Sequence, residues 1–532
     1  MAQNNPYADN PYLNNPNADN PYAAQPKPII VKKADSIYTQ RLKEHFSFFG
    51  IGSALYAVFY TFCLYKNASG ITYPFFVAGT LCYFFFSMQK LGVPYKKDSI
   101  FYIISVVLLG ISNCLTNSPQ LLAMNKCGIF LLSFILMIHT IYMDKSWNFP
   151  KYLTALAQTI GIIFVCVFRP CSDMISYFDA RKKNKDGKKS YFLPVLIGVV
   201  ITIPVLLFMT LLLASADAVF ADIFSRILDS INLETIFGTT FTAIIVFFFS
   251  YAVYAALSMK DVKEEVTDHR TLEPIIAIIV TVALSILYLM FSVIQILYLF
   301  IGNMQLPDGY TYSSYAREGF FQLLTVCILN LIIVLVCLYL FRENSVLKAI
   351  LTIISGCTFI MILSSALRML MYINRYNLTF LRIFVLWSLA VIFLLMAGVT
   401  VSIYMNKFPL FTYSMVIVTV FYIGLSFAHP DYWIAKYNLN PGHMEYLDDY
   451  DTLDSQKYLG KLSADAAPIV LSEKSNPYFT DFTDIIDQDG DVHEEFSWLS
   501  RYNNRMKELS KNMHIRNFNF SVHAAGRHAY WY

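Results

Sequence analysis

The stretch YSSYAREGFFQLLTVCILNLIIVLVCLYL, Tyr312–Leu340, decides the fold class. After the adjacent charges Arg317 and Glu318, it runs on without another charged residue, long enough for a helix to cross a hydrocarbon core of ~30 Å. Comparable apolar runs recur between residues 46 and 428. The sequence therefore predicts an all-α polytopic membrane protein.

The composition supports this fold class. Of the 532 residues, 56% are hydrophobic and only 14% are charged, whereas soluble domains carry roughly 25% charged residues. We predict eleven transmembrane helices. Their ranges are 46–65, 71–89, 99–116, 127–143, 191–214, 237–259, 275–301, 317–341, 349–373, 380–405 and 410–428.

A further apolar segment, Tyr152–Phe168, is short and carries a single apolar stripe, a pattern that suits a helix lying in the interface as well as a crossing one. If this segment crossed, the basic run RKKNKDGKK at 181–189 would lie on the opposite side from the basic leader. The positive-inside rule opposes that arrangement. We therefore predict that it does not cross, that the N-terminus is cytoplasmic, and that the C-terminus is extracytoplasmic.

The chain divides into three predicted parts. Residues 1–45 form an Asn/Pro/Tyr-rich, largely disordered cytoplasmic leader in which ADNPY occurs twice. This leader either binds a protein partner through its repeats or has no partner. Residues 46–428 form the helical bundle, with a basic cytoplasmic loop at 144–190. Residues 429–532 form a small extracytoplasmic segment.

The C-terminal segment is predicted to be mostly helical. Apolar residues near helical spacing indicate short helices around 453–462 and 496–509, and the alternation of Phe518, Phe520 and Val522 indicates a brief strand. The acidic stretch DFTDIIDQDGDVHEEF resembles a calcium loop in composition only. With Gly490 at the sixth position, Ile485 and Phe496 would occupy two ligand positions, so we predict a solvated acidic loop.

A group of charged residues is predicted to cluster at the outer interface: Arg317, Glu318, Arg368, Arg382, Asp217 and Asp222. Ser364, Arg368 and Tyr372 are spaced four apart and so share one helix face that points into the bundle. Two interpretations remain open. The charges form an interhelical network that holds the bundle together, or the arginines bind an external anion such as a lipid phosphate.

The sequence contains no phosphate-binding glycine loop, HExxH or GxSxG motif, and no CxxC pair or Cys/His spacing typical of a metal site. We therefore predict no catalytic residue, metal or cofactor. A full-depth proton relay would need several acidic or histidine residues in series, whereas His139 stands alone and is predicted to be a hydrogen-bonded interior residue.

Five ordered blocks carry a family resemblance: LLASADAVFAD, YSSYAREGFFQLL, YNLTFLRIFVLW, HPDYWIAKYNL and YLGKLSADAAPIVL. Together, over roughly residues 190 to 510, they resemble an uncharacterised bacterial multi-pass membrane family, the domain-of-unknown-function 4173 family, with its sister 4153. The resemblance implies a bacterial cytoplasmic-membrane protein without an established activity. It also implies that Asp217, Arg317, Glu318 and Arg382 recur in the family, and that asparagine is usual where His429 stands here.

We expect a non-enzymatic transport, sensing or envelope-scaffold component with a charged outer-face site. The alternative is a membrane enzyme that acts on a lipid-linked anionic substrate at the outer leaflet. A carboxylate paired with arginine has a lowered pKa and is a poor base, which favours the first function. The expected partners are the lipid bilayer, an anionic lipid or lipid-linked phosphate, and a protein that binds the N-terminal repeats, but not nucleic acid.

Overall fold

A computed structural model describes residues 35–144, 147–183, 233–262, 270–297, 312–405, 407–440, 457–472, 482–486, 492–496 and 498–529, with isolated positions between 202 and 222. The helices are α1 (Ile37–Glu44), α2 (Phe46–Leu64), α3 (Thr72–Leu91), α4 (Ile100–Leu115), α5 (Pro119–Ile141), α6 (Phe149–Val165), α7 (Arg169–Lys183), α8 (Leu233–Met259), α9 (Pro274–Gln295), α10 (Tyr312–Leu340), α11 (Ser345–Tyr376), α12 (Phe380–Tyr404), α13 (Leu410–Phe427), α14 (Pro430–Asn438), α15 (Ala467–Val470), α16 (Trp498–Lys511) and α17 (Phe520–Ala529). Two strands, β1 (Phe482–Ile486) and β2 (Val492–Phe496), form an antiparallel hairpin.

The predicted polytopic helical fold is confirmed. Within the described residues, nine helices are long and apolar enough to cross a membrane: α2, α4, α5 and α8–α13. The predicted span at 71–89 is the helix α3, whose last turn is polar, and the one predicted at 191–214 lies almost wholly outside the described residues. Helix α5 begins earlier than the predicted residue 127, because Pro119 suits a first turn whose amide groups need no partner within the helix.

One end of the bundle, which we call the α1 face, gathers the N-terminal helix and the ends of α3, α5 and α8. Arg41 donates a hydrogen bond to the Leu91 carbonyl (2.8 Å), and Thr39 donates to the Ser258 carbonyl (3.1 Å). Lys96, just before α4, donates to the Tyr142 carbonyl (2.6 Å) after α5. These contacts satisfy helix C-terminal carbonyls that lack a partner within their own helices.

The opposite end, which we call the cap face, is covered by the C-terminal segment. Arg516 donates to the Tyr65 carbonyl (2.9 Å) at the end of α2, and Asn519 donates to the Thr116 carbonyl (2.8 Å) at the end of α4. Asn438 donates to the Leu378 carbonyl (2.9 Å) in the turn between α11 and α12. The first described helix and the C-terminal segment therefore lie on opposite faces.

The segment predicted not to cross, Tyr152–Phe168, lies in α6 and the turn after it, and the chain bends by 59° between α6 and α7. At the start of α6, the Tyr152 ring stacks on Phe411, the second residue of α13, at 3.6 Å. Just past its end, the Cys166 thiol lies 3.6 Å from the Met259 sulfur at the end of α8. The beginning of α13 and the end of α8 both lie at the α1 face, so α6 begins and ends at that face.

The C-terminal segment, which we call the cap (residues 430–529 where described), has its own apolar core that includes Ile434, Leu459, Tyr502 and Val522. The helix predicted at 496–509 is confirmed as α16. The strand predicted around Phe518–Val522 is wrong. There the Asn519 side chain accepts hydrogen bonds from the amides of Ser521 (3.0 Å) and Val522 (3.2 Å) and so caps the start of α17.

The acidic stretch at 481–496 was predicted to be a loop, and this prediction is also wrong. It contains the β1–β2 hairpin, in which Phe482 pairs with Phe496 and Ile486 with Val492. The residues between the strands, 487–491, lie outside the described part of the chain. Ile485, Ile486 and Val492 are β-branched, and residues of this kind favour the extended conformation.

Candidate functional site on the cap face

The predicted charged cluster can be placed only in part. The side chains of Arg317 and Glu318 lie outside the described residues, although both belong to α10. Asp217 and Asp222 are exposed positions in a stretch where most neighbours are not described. Arg368 and Arg382 are the members whose contacts the structure gives.

Arg382 holds the turn between α11 and α12. Its guanidinium donates to the Tyr376 carbonyl (2.6 Å) and to the Asn377 carbonyl, and it lies 4.2 Å from the centre of the Tyr372 ring. Asn377 has φ of 69° and ψ of 172°, a conformation that residues other than glycine rarely adopt. A cation at a helix C-terminus is favoured by the helix dipole, so these contacts account for this arginine within the fold.

Arg368 joins two spans. It is 7% exposed, and its guanidinium donates to the Gln295 side-chain oxygen (3.0 Å) at the end of α9. The Ser364 hydroxyl donates to the same oxygen at 2.6 Å. Ser364 and Arg368 therefore share a face directed at α9, as their spacing predicts. Sequence reasoning missed Gln295, which stands with Ser292 in the otherwise apolar run FSVIQILYL.

A different polar centre, which we call the Asp465 centre, ties the cap to the bundle. The Asp465 carboxylate accepts hydrogen bonds from the Thr116 hydroxyl (2.5 Å) and the Asn117 amide (2.7 Å), between α4 and α5. From the cap it accepts one from the Ser521 hydroxyl (2.5 Å). Burial by itself would raise the pKa of Asp465, but its hydrogen bonds outweigh burial and lower the pKa below its usual value.

His429 completes this centre from the end of the last span. Its Nδ1 lies 3.2 Å from the Asp465 carboxylate, and this hydrogen bond raises the pKa of His429 above its usual value, although burial opposes the shift. The backbone of His429 has φ of 47°. Among residues other than glycine, asparagine, aspartate and histidine enter this left-handed region most readily, which explains why the resemblance implied asparagine at this position.

Asp431 lies beside the Asp465 centre and differs from Asp465 in its environment. It is 4% exposed and accepts a hydrogen bond from the Ser463 amide at 3.2 Å. Burial and the nearby Asp465 charge raise the pKa of Asp431, against the lowering effect of its hydrogen bonds to Ser463 and Ser118. The site thus holds one carboxyl group stabilised in its ionised form and another biased towards its neutral form.

A buried polar network lies in the bundle beneath the Asp465 centre. The Asn125 side-chain oxygen of α5 accepts hydrogen bonds from the hydroxyls of Tyr422 (2.6 Å) and Ser426 (2.7 Å) of α13. The Asn125 amide donates to Ser112 and Asn113 of α4, both at 3.2 Å. Hydrogen bonds of this kind join transmembrane helices, so α4, α5 and α13 form one support for the cap.

The sequence offered weak signals for the Asp465 centre. Asp465 stands among small apolar residues in SADAAP, and Asp431 follows the last span in HPDYW. A lone acidic residue in an apolar setting suggests burial with partners. The partners themselves come from residues 36 to 349 positions away, and no local pattern indicates them. Within the described residues, no group of three His, Cys, Asp or Glu side chains is arranged to hold a metal ion.

The His429–Asp465 contact predicts a pH dependence of cap docking. Since the pKa of His429 is raised in the fold, the stabilisation from its protonated form is fully present below its ordinary pKa of 6.5 and is lost as the pH rises through the raised value. We expect limited proteolysis to release the cap more readily at alkaline pH. His429→Asn should remove most of this dependence while retaining a hydrogen bond to Asp465, and an unchanged pH profile would contradict the assignment.

No curated protein and no solved structure matches this chain. The model of one family matches residues 103–472, which include the Asn125 network, both described arginines, His429, Asp431 and Asp465. This is the 4153 family, which the five sequence blocks indicated as the sister of the 4173 family. The chain therefore belongs to the family described as domain of unknown function (DUF4153).

Proposed function

We propose that this integral membrane protein is a non-enzymatic component of a bacterial cytoplasmic membrane, a scaffold or sensor that presents its cap on the outer surface. The observation that carries the proposal is the Asp465 centre. Its donors come from the α4–α5 turn, the end of α13 and α17, so the cap is built into the bundle as a rigid part. A rigid, polar outer surface suits the binding of another envelope component.

The distribution of charge supports this orientation. Lys90, Lys96, Lys97, Lys151 and Lys260 belong to the α1 face, and Arg181, Lys182 and Lys183 end α7. The positive-inside rule assigns such a face to the cytoplasm. Residues 1–45 are then a cytoplasmic leader, 46–428 the bundle and 429–532 the extracytoplasmic segment. The leader's repeats remain a candidate site for a protein partner.

Thiol labelling tests this orientation. In a background with serine at the exposed Cys82, Cys127 and Cys171, Lys511→Cys on the cap should react with an impermeant maleimide in intact cells. Asp98→Cys, before α4 on the α1 face, is the matched control and should react only after the membrane is permeabilised. The reverse pattern would invert the proposed topology.

The contacts of the arginines favour a structural role for the charged cluster. Arg382 is engaged with helix-end carbonyls and Arg368 with Gln295. An arginine that already donates to protein groups at a helix end offers fewer donors to an external phosphate. An anionic lipid or lipid-linked phosphate therefore ranks second as the occupant of this region.

One observation favours the enzyme alternative. His429 beside Asp465 resembles a general base oriented by a carboxylate, and the His429 side chain is 36% exposed on the cap face. Such a pair needs a nucleophile or a bound water in line with the free ring nitrogen. The described hydroxyls that contact Asp465, those of Thr116 and Ser521, donate to the carboxylate itself. The alternative is therefore the weaker of the two.

Substitution of His429 separates the two functions. Asparagine tolerates the left-handed backbone and can donate to Asp465, but it cannot transfer a proton at neutral pH. In a scaffold, His429→Asn should restore the phenotype that deletion of the gene produces as well as the wild type does, whereas Asp465→Ala should not. A His429→Asn protein with a protease-resistant cap that fails to rescue would instead indicate proton transfer.

A further inference from the structure

Helices α6 and α7 expose large apolar side chains, although α6 begins and ends at the α1 face. Leu153, Phe164 and Phe168 are 55%, 62% and 76% exposed. We propose that α6 and α7 form an in-plane element that binds the anionic lipid surface at the α1 face. This inference concerns the face opposite the cap and does not depend on the proposed function.

Buried polar contacts hold the other side of this element against the bundle. The Tyr152 hydroxyl of α6 donates to the Asp144 carboxylate, which also accepts a hydrogen bond from His139 Nδ1 at 2.6 Å. The Asp173 carboxylate of α7 accepts from the Tyr251 hydroxyl of α8 at 3.0 Å. With one contact on each helix, the pair is fixed against α5 and α8, and its exposed side faces the lipid.

The position of Gln158 distinguishes an in-plane helix from a crossing one. Gln158 lies near the middle of α6. Its side chain is exposed, and so are those of Thr154 and Ala157 beside it. If α6 crossed the membrane, this exposed amide would lie at mid-depth against lipid tails, where an unsatisfied polar group costs several kcal/mol. In the interface the same amide reaches headgroups and water, while Leu153 and Phe164 insert among the acyl chains.

The charge at the end of this element selects the lipid. Lys151 lies in the first turn of α6, and Arg181, Lys182 and Lys183 end α7. The last five residues of α7, 179–183, hold three basic residues and one acidic residue. Each basic residue near an anionic leaflet adds to the electrostatic attraction. A zwitterionic surface would not provide that attraction, so the occupant is an anionic phospholipid.

Depth-dependent quenching tests the placement of α6. An environment-sensitive fluorophore is attached to one introduced cysteine at a time: Leu153→Cys, Gln158→Cys or Phe164→Cys. Each variant is the full chain in nanodiscs, with serine at Cys82, Cys127 and Cys171. Ile286→Cys, exposed near the middle of the span α9, is the control for mid-bilayer depth. We expect all three α6 labels to be quenched most strongly by shallow spin-labelled lipid and the Ile286 label by deep lipid. A Gln158 label as deep as the Ile286 label, or α6 labels quenched only from water, would overturn the proposal.

Lipid composition tests the charge requirement. Between nanodiscs of phosphatidylcholine and nanodiscs that also contain phosphatidylglycerol, the Leu153 label should shift its emission towards the blue. The triple variant Arg181→Gln, Lys182→Gln, Lys183→Gln should lose most of that shift. The matched control removes three lysines of the cap (Lys461→Gln, Lys507→Gln, Lys511→Gln) and should keep it. A shift that is equal in both triple variants, or no shift in the wild type, would contradict anionic-lipid binding.

Discussion

Asp465→Ala should release the cap from the bundle and cost about 3 kcal/mol or more of folding free energy, as expected when a buried charged acceptor is removed from several donors. The substitution leaves the Asn117 amide and the hydroxyls of Thr116 and Ser521 without their acceptor in a buried setting. We expect a lower midpoint of thermal unfolding in detergent and rapid tryptic cleavage within the cap, measured on the purified full chain.

Asp431→Asn is the matched control for this variant. Because burial raises the pKa of Asp431, the fold disfavours its charge, and asparagine removes that charge while keeping the shape and an acceptor oxygen. We therefore expect only a small change in the unfolding midpoint for Asp431→Asn. If Asp465→Ala melts like the wild type and keeps a protected cap, then the Asp465 centre does not join the cap to the bundle.

Gln295→Leu should cost about 2 kcal/mol, because it removes the α9 oxygen to which the buried Arg368 guanidinium and the Ser364 hydroxyl both donate. Leucine keeps a similar volume but offers no acceptor. The loss is smaller than for Asp465 because the acceptor is neutral and because hydrogen bonds between transmembrane helices contribute modestly. Thermal unfolding in detergent with the same readout measures it.

Gln295→Glu retains the oxygen and adds a negative charge beside Arg368, so its unfolding midpoint should stay near that of the wild type. This comparison also separates the two interpretations of the charged cluster. If Arg368 served mainly to bind an external anion, Gln295→Leu would leave stability unchanged and would strengthen binding to phosphatidylglycerol vesicles. The structural interpretation predicts the opposite: lost stability and no gain in vesicle binding.

Helical spacing allowed one pair of contact residues to be predicted but not the residue they contact. Ser364 and Arg368 were assigned to one face because positions four apart are neighbours on a helix. Their shared acceptor, Gln295, lies about seventy positions away, and no local pattern connects the two segments. The strand predicted at Phe518–Val522 failed for a related reason, since the Asn519 cap outweighs a short apolar alternation.

The amino-acid sequence by itself determined that the chain crosses a membrane repeatedly as helices, because apolar length and charge distribution are local properties that a bilayer selects directly. It also indicated that the Tyr152–Phe168 segment stays on one side. Only the tertiary structure decided which polar groups meet. Thr116, His429 and Ser521 converge on Asp465 across sequence separations of 36 to 349 residues, and burial makes these partners necessary without making them visible in the sequence.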